Sequence, residues 1–288
     1  MKDRRTAVLM IAPTVLVVGL IFIYPLILSF WTSLHYQVLS QPHLTRFIGL
    51  GNYHWLMREP RFWGALGRSL VFLAFTVTLS MGLGTLIAFL IDRYMGRWNW
   101  ARALFLMPMV ITPVVVGIQW RFLLNDQFGV ASWFFEAIRL PIGGTWLSDP
   151  VGAMFWVIAV DLWYYTPYVI LLAGAGLASI PTEVRDAAKV DGATPWQTIR
   201  YVLLPMLKAV LVVALLIRTI GGLRAFDTIM IITDGGPGRA TEVANILAYR
   251  YGLQYFDMGK ASAIGWVMMV VAVVLTVVYI RLISMGRK

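Results

Sequence analysis

The chain has 288 residues, of which 59% are hydrophobic and only 13% are charged, whereas soluble domains carry about 25% charged residues. This composition excludes a disordered chain and an ordinary water-soluble fold, and the absence of cysteine excludes disulfides, thiolate catalysis and cysteine-ligated metal. The net charge is +10, but the basic residues occur singly between apolar runs. We therefore interpret them as charges that flank membrane spans and not as a nucleic-acid surface.

Six apolar stretches are long enough to cross a bilayer as helices, which takes about 20 residues. They lack the alternation of transmembrane strands, and open sheet edges do not survive in lipid. The sequence therefore predicts an all-α membrane protein, a single transmembrane domain over 1–288. The predicted spans are about 7–34, 69–91, 103–124, 151–180, 206–223 and 261–283.

The first stretch follows Met1-Lys2-Asp3-Arg4-Arg5, a start that is typical of signal peptides. The apolar run is longer than the core of a signal peptide, and no small-x-small cleavage site follows it. We expect a retained signal anchor.

The distribution of Lys and Arg predicts the orientation. With the N-terminus inside, the inner segments (about 1–6, 92–102, 181–208 and 281–288) hold 13 basic residues in about 53 positions, whereas the outer loops hold 9 in about 96. Both termini are therefore predicted to face the cytoplasm.

The inner loop 181–205 is predicted to form two short helices with a bend. Thr182 can cap the first helix, and Gly192 can end it. Thr194 and Gln197 make a T-x-x-Q capping box for the second, and Pro205 is predicted to begin the fifth span. Such a rigid projection suits a groove on another protein, although a helix resting on lipid headgroups has the same pattern.

Two charged residues stand out within the apolar spans: Asp161 in the fourth and Arg218 in the fifth. Asp161, Tyr164, Tyr165 and Tyr168 share one helical face, which combines a carboxylate with aromatic hydroxyls. Such a surface suits a carbohydrate, because aromatic rings stack on its C–H faces and polar atoms bind its hydroxyls.

A second stripe of residues follows Arg218 at Gly221, Gly222 and Ala225, and its small side chains leave room for a ligand or for a neighbouring helix. Three alternatives to a substrate path remain open. Asp161 and Arg218 can form a buried ion pair, the tyrosines can be an interfacial belt, and the glycines can be a packing face.

Enzymatic and metal motifs are missing from the sequence. It has no GxxxxGK[ST] phosphate loop, no HExxH and no GxSxG. His35, His43 and His54 share no helical face, so we interpret them as solvated loop residues and not as metal ligands. We predict neither catalytic nor metal-binding residues.

The inner loop resembles the EAA loop of ABC-importer permeases in residue types and full spacing, with Asp186 in place of Glu and Val202 in place of Ile. The resemblance implies the type I importer permease fold. It also implies that the loop docks on a nucleotide-binding subunit that binds ATP and Mg, with no cofactor on this chain. The coupling residues carried over are Asp186, Ala187, Ala188, Asp191, Gly192, Leu204 and Pro205.

Other stretches resemble sugar permeases of the maltose and glycerol-3-phosphate type. These are 47–53, 161–167, 176–181, 226–227 and 233–237. The resemblance implies transport of a sugar, an oligosaccharide or a sugar or polyol phosphate. It places the sugar contacts at Asp161, Tyr164, Tyr165, Tyr168, Arg218 and Gly222.

The same resemblance implies partners and a location. The partners are a second, related permease, two copies of an ABC ATPase, an extracytoplasmic binding protein and membrane lipid. The location is the plasma membrane of a bacterium or archaeon. The outer turn Thr233–Pro237 either helps to receive sugar from the binding protein or is a plain loop.

Two rival interpretations come from other classes of protein. One is a secondary transporter driven by an ion gradient, with Asp161 as the ion site; the lack of internal repeats counts against it. The other is an intramembrane enzyme or scaffold, for which the sequence offers no catalytic constellation.

Overall fold

The structure is a computed structural model that describes residues 2–94, 99–137 and 146–285. Parts of the inner segments 92–102 and 281–288, which entered the charge comparison, lie outside these residues. The chain divides into two compact units. The first comprises Met1–Ala65 and Ala244–Val271, and the second comprises Leu66–Val243 and Ala272–Lys288.

Helices dominate the described residues, and the only strands there are two of two residues each. The strands β1 (His35–Tyr36) and β2 (Arg46–Phe47) pair antiparallel. The helices are α1 (Lys2–Val18), α2 (Tyr24–Ser33), α3 (Gly51–Arg58), α4 (Pro60–Tyr94), α5 (Asn99–Leu106), α6 (Pro113–Leu123), α7 (Val130–Ala137), α8 (Pro150–Ala178), α9 (Thr182–Val190), α10 (Pro195–Gln197), α11 (Leu204–Leu223), α12 (Asp227–Thr233), α13 (Ala244–Tyr249) and α14 (Met258–Met285).

Five helical stretches in the described part of the chain are long and apolar enough to cross a bilayer. They correspond to the first, second, fourth, fifth and sixth predicted spans. Their bounds are Met10–Ser33, Pro60–Tyr94, Pro150–Ala178, Pro195–Leu223 and Met258–Arg281.

The third predicted span, 103–124, is not one straight helix. Ala103–Val110 and Pro113–Leu123 meet at an angle of 99°. Two prolines explain the break. Pro108 lies in a 3₁₀ turn, and Pro113 is the first residue of α6 and forces Thr112 before it into an extended conformation. Hydropathy alone predicted the span and took no account of this pair.

Two spans run further than hydropathy indicated. The second, predicted at 69–91, is the 35-residue helix α4, which measures roughly 52 Å at 1.5 Å per residue. The fifth is helical from Pro195 to Leu223, so the prediction that Pro205 begins it is wrong.

Two prolines in these spans follow local π-helical turns. Thr198–Leu203 is π-helical and ends two residues before Pro205, and Gly19–Ile23 is π-helical and ends two residues before Pro25. The wider turn relieves the clash between a proline ring and the carbonyl four residues earlier.

In the first unit, the segment 47–53 fixes the short strands to the helices. The Asn52 side chain is buried and donates to the carbonyls of Ser33 and His35 at 2.8 and 2.9 Å. The Tyr53 hydroxyl hydrogen-bonds the Ser33 hydroxyl at 2.7 Å. This stretch, which resembles a motif of the sugar permeases, therefore contributes to the fold here.

In the second unit, α4, α8 and α11 approach one another closely at glycines. A β-carbon added at any of three positions would lie within 2.7 Å of a side chain on the neighbouring helix, which no real contact allows. Small residues of this kind let helices meet closely where lipid gives no hydrophobic drive. The three contacts are Gly84 of α4 with Val169 of α8, Gly176 of α8 with Leu207 of α11, and Gly222 of α11 with Leu73 of α4.

Candidate functional site

A buried group of polar side chains, here called the polar cluster, joins these three helices. It consists of Ser80 on α4, Asp161 and Tyr165 on α8, and Arg218 on α11. Arg218 donates from Nη2 to Asp161 Oδ1 and from Nε to Ser80 Oγ, the latter at 3.2 Å. The Tyr165 ring centre lies 4.8 Å from the guanidinium carbon.

The two charges of the cluster neutralise each other away from solvent. Arg218 is 2% exposed and Asp161 is 5% exposed. An isolated charge is very costly at such a site, whereas a pair with good hydrogen bonds is tolerated. The ion-pair interpretation of the sequence is therefore the arrangement found.

The pairing leaves part of the cluster's hydrogen-bonding capacity unused. Among the described residues, buried Nη1 of Arg218 has no hydrogen-bond partner. Elsewhere on α11 and α8, the buried hydroxyls of Thr219 and Thr166 also have no hydrogen-bond partner among the described residues. Since buried polar groups are almost always partnered, these atoms are candidates for contact with a polar ligand or water.

The structure brings most of the predicted path residues together. Tyr164 is buried and packs edge-to-face on Tyr165 at 4.6 Å, beside the ion pair. A β-carbon at Gly222 would lie 3.5 Å from Arg218 Nη1, so this glycine borders the cluster as well as packing on Leu73. Tyr168 is half-buried one turn further along α8.

The contribution of α4 was missed in the sequence. Ser80 and Thr76 are both fully buried and lie one turn apart on α4. Thr76 Oγ1 would be 3.8 Å from a β-carbon at Gly222. Two hydroxyl residues at i and i+4 in an apolar span are the sequence signal that would have indicated this contribution.

In the loop 181–205, the predicted cap of the first helix is wrong, whereas the predicted helix end at Gly192 and the capping box are found. The N-cap of α9 is Pro181 and no side chain caps it, so Thr182 is not a cap. Gly192 follows the helix with φ +72°, a conformation that suits glycine. The capping box is confirmed, since Thr194 Oγ1 accepts from Gln197 N at 3.3 Å and Gln197 Oε1 accepts from Thr194 N at 2.7 Å.

The second helix of this loop is not a separate short helix. It continues from Pro195 into the fifth span. The predicted pair of short helices is therefore one short helix, α9, followed by the start of a long one.

Most coupling residues carried over from the resemblance are exposed. The Asp186 side chain is 64% exposed and pairs with Lys189 at 2.8 Å. Ala188 is on the buried side of α9, whereas Ala187, Asp191, Gly192, Leu204 and Pro205 are exposed. Large apolar side chains are also exposed on this loop, namely Val190, Trp196 and Tyr201.

The turn 233–237 is held by threonine hydroxyls. Thr233 and Thr241 share a hydrogen bond of 2.7 Å, and Thr241 Oγ1 donates to the carbonyl of Gly236 at 2.8 Å. Asp234 and Gly235 have positive φ. The turn is thus a defined structure, held by the side chains of Thr233 and of Thr241 beyond it.

The first unit contains a smaller aromatic group around Lys260, which lies in the first turn of α14. Lys260 lies 4.7 Å from the ring centre of Trp55 and 5.8 Å from that of Tyr251, and it pairs with Asp257 at 2.9 Å. Burial raises the pKa of the Tyr251 hydroxyl above its ordinary value, so this ring stays neutral at physiological pH.

The predicted loop histidines do not assemble a metal site in the part of the chain that is described. No group of three or more potential metal ligands converges there. His35 stacks on Trp31 with ring centres 3.7 Å apart, and its Nδ1 hydrogen-bonds the Trp31 carbonyl at 2.7 Å.

Comparison with known proteins places this geometry in context. Residues 80–285 match the family described as binding-protein-dependent transport system inner membrane component. The trehalose/maltose transport system permease protein of Thermococcus litoralis is 34% identical over 281 residues, which cover 97% of this chain and 94% of that protein. The trehalose transport system permease protein of Mycobacterium tuberculosis is 33% identical over 282 residues, covering 98% and 90%.

A solved structure has the same fold. It is the crystal structure of a bacterial ABC transporter involved in the import of the acidic polysaccharide alginate. One of its chains superposes with a TM-score of 0.86, at 23% identity, covering 100% of this chain and 98% of that one.

Proposed function

The chain belongs to the family of binding-protein-dependent transport system inner membrane components, and on that premise we propose that it is the permease subunit of an ATP-driven importer of an uncharged carbohydrate. It is a multi-pass membrane protein with the type I importer permease fold and a transport subunit, not an enzyme. The two relatives described above are permeases of trehalose and trehalose/maltose systems, and a third, 30% identical, is the permease of a sulfoquinovosyl glycerol system. What is proposed here is the substrate's charge class, the residues that meet it and the assembly.

The observation that carries the charge class is the neutral polar cluster. Asp161 is the only charged residue in the sequence of α8, and α11 holds only Lys208 besides Arg218. Because Asp161 neutralises Arg218, the cluster offers an anion no uncompensated cation. It offers hydroxyls, a guanidinium N–H and tyrosine rings, which are the groups that bind uncharged sugars.

Acidic sugars and sugar phosphates are less compatible with this arrangement. An anion at Arg218 would have to displace Asp161 and leave that carboxylate buried without a counter-ion. The structural relative that imports acidic alginate shares 23% identity and supports the fold alone.

The assembly we propose follows the family. A second related permease supplies the other half of the path, two ATPases bind ATP and Mg, and an extracytoplasmic binding protein delivers the sugar. The loop 181–205 faces the cytoplasm and docks on an ATPase through Asp186, Ala187, Ala188, Asp191 and Gly192, while Leu204 and Pro205 join it to the fifth span. Its exposed Val190, Trp196 and Tyr201 support such a contact, since aromatic side chains are enriched at interfaces.

An ion-gradient mechanism with Asp161 as the ion site fits the geometry less well. A coupling ion must enter and leave its carboxylate, but Arg218 occupies this one. The membrane we propose is the plasma membrane of a bacterium or archaeon, where binding proteins deliver substrates from outside.

The test is sugar uptake into liposomes that contain this chain together with the products of its neighbouring genes. We expect ATP-dependent accumulation of trehalose or maltose that persists when the proton gradient is collapsed, with no competition from an alginate disaccharide. Uptake without ATP, or preference for the uronate sugar, would contradict the proposal.

One variant makes the charge argument specific. Asp161→Asn leaves Arg218 without its counter-ion and should let the uronate disaccharide compete. Asp149→Asn is the matched control, because Asp149 caps the N-terminus of the same helix through Gly152 N and lies outside the cluster.

A further inference from the structure

Arg185 ties the loop 181–205 to two transmembrane helices. Its Nη1 donates to Asp92 Oδ2 at 2.5 Å, and its Nη2 donates to Asp92 Oδ1 at 3.3 Å and to the Leu177 carbonyl at 3.0 Å. Asp92 lies near the end of α4, and Leu177 lies in the last turn of α8. These three groups are here called the Arg185 clamp.

The clamp is a stiff, directional connection. The guanidinium meets the carboxylate with two hydrogen bonds, an arrangement that fixes orientation as well as distance. The side chains of Arg185 and Asp92 are 26% and 23% exposed, so solvent screens them only in part. The bond to Leu177 adds a cation at a helix C-terminus, where the helix dipole favours one.

The other contacts of α9 are of a different kind. Val184 and Ala188 lie on the apolar side of the helix, where Val184 packs on the core formed by Phe89, Leu177, Leu203 and their neighbours. Apolar contacts of this type bury surface without fixing a direction. The Asp186–Lys189 pair is exposed and lies within α9 itself, so it connects the loop to nothing else.

The clamp completes the connection between the loop and the polar cluster. Ser80 lies on α4, Asp161 and Tyr165 on α8, and Arg218 on α11. The loop is already continuous with α11, because the helix runs unbroken from Pro195 to Leu223. Through Arg185 it also holds the ends of α4 and α8, and therefore every helix of the cluster.

We propose that Arg185 is the positioning residue that transmits movement of the loop to α4 and α8, and so to the polar cluster. This inference rests on the proposed function, in which an ATPase moves the loop. Without Arg185 the loop would still dock on its ATPase, but α4 would no longer follow it, and α8 would be joined to it only through residues 179–181 and apolar contacts. The ATPase would then hydrolyse ATP without opening the path.

The experiment exploits the absence of cysteine from the chain. Thr76→Cys places one thiol on α4 beside the cluster, and its rate of labelling by a maleimide is read on this subunit with and without ATP. The same complex gives the ratio of disaccharide transported to ATP hydrolysed. Both readouts are repeated with Arg185→Gln, Asp92→Asn and the reversed pair Asp92→Arg with Arg185→Asp.

We expect each single variant to lower the transport ratio roughly fivefold or more, the lower end of couplings between distant sites, and to abolish the ATP-dependent change in labelling. The reversed pair should restore part of both, since it remakes the ion pair but not the bond to Leu177. Arg93→Gln is the matched control, because Arg93 is the next residue of α4 and its guanidinium lies over the Tyr94 ring, 5.1 Å from the ring centre.

An unchanged ratio and unchanged labelling in Arg185→Gln would overturn the inference. So would loss of the ATPase from the complex, which would make the clamp merely structural. If the wild-type complex transports no uncharged sugar, the substrate proposal fails, whereas the labelling readout still decides whether Arg185 couples the loop to the cluster.

Discussion

The candidate site depends on the ion pair between Asp161 and Arg218. The effect of this pair on the stability of the protein differs from its proposed effect on transport. A pair this deeply buried contributes little net stability compared with apolar residues of the same size, but removal of one partner leaves an uncompensated charge. The proposed role of the pair is therefore in transport and not in stability.

We predict that Arg218→Leu and Asp161→Leu each destabilise the protein by about 3–5 kcal/mol, because each leaves one buried ion unpaired. The double variant should recover most of that loss and still fail to transport. Thermal unfolding of the purified complex in detergent and uptake in liposomes measure the two effects. Single variants that melt like the wild type would show that the two charges are not held against each other.

At this scale the sequence identified the site only in part. Charged residues stand out in apolar helices, so Asp161 and Arg218 were found, and the helical period placed Tyr164 and Tyr165 on the same face as Asp161. Ser80 was not found, because a hydroxyl in an apolar span is common and its partner lies 138 residues away. Which residues meet across helices depends on tertiary packing, which no period in the sequence reports.

Among the elements, α4, α8 and α11 each contain a packed glycine and an open one. Gly84, Gly176 and Gly222 touch the neighbouring helix. Within the part of the chain that is described, added β-carbons at Gly82, Gly174 and Gly221 would meet no atom within 4 Å. Substitutions at the packed and the open glycines can therefore distinguish the effect of close helix packing from the general cost of glycine in a helix.

We predict that Gly84→Ala and Gly176→Ala destabilise the protein by about 1–3 kcal/mol each, because overpacking forces the helices apart. Gly82→Ala and Gly174→Ala should be neutral or stabilising by up to about 1 kcal/mol, the difference in helix propensity. The measurement is thermal unfolding of the four variants side by side. Equal effects at packed and open positions would contradict the close approach of these helices.

The elements also show where hydropathy fails as a guide. Hydropathy finds apolar length, and it located all six apolar stretches. It does not report backbone geometry, so the break at Pro108 and Pro113 and the continuation of the fifth span through Pro205 escaped it. Proline broke the third span, where a 3₁₀ turn and an extended residue lie beside it, and was absorbed in the fifth, where a π turn precedes it.

For the whole molecule, the distribution of charge predicts the orientation of the chain in the membrane. The excess of Lys and Arg in the segments assigned to the inside predicts that the loop 181–205 faces the cytoplasm and that the segment around 250–257 faces outward. The proposed mechanism requires this orientation, because the ATPases are cytoplasmic and the binding protein is not.

Because the chain has no cysteine, single introduced thiols can report the orientation directly. Val190 in α9 is 88% exposed and Leu253 is 56% exposed, so in cells that express the chain without its ATPase a cysteine at either position is accessible from its own side. We predict that a membrane-impermeant maleimide labels Leu253→Cys in intact cells and labels Val190→Cys only after the membrane is permeabilised. The charges set this outcome, since the inner segments resist transfer across the bilayer. The reverse pattern would place the loop outside, where no ATP-driven partner can reach it, and would remove the basis for coupling through Arg185.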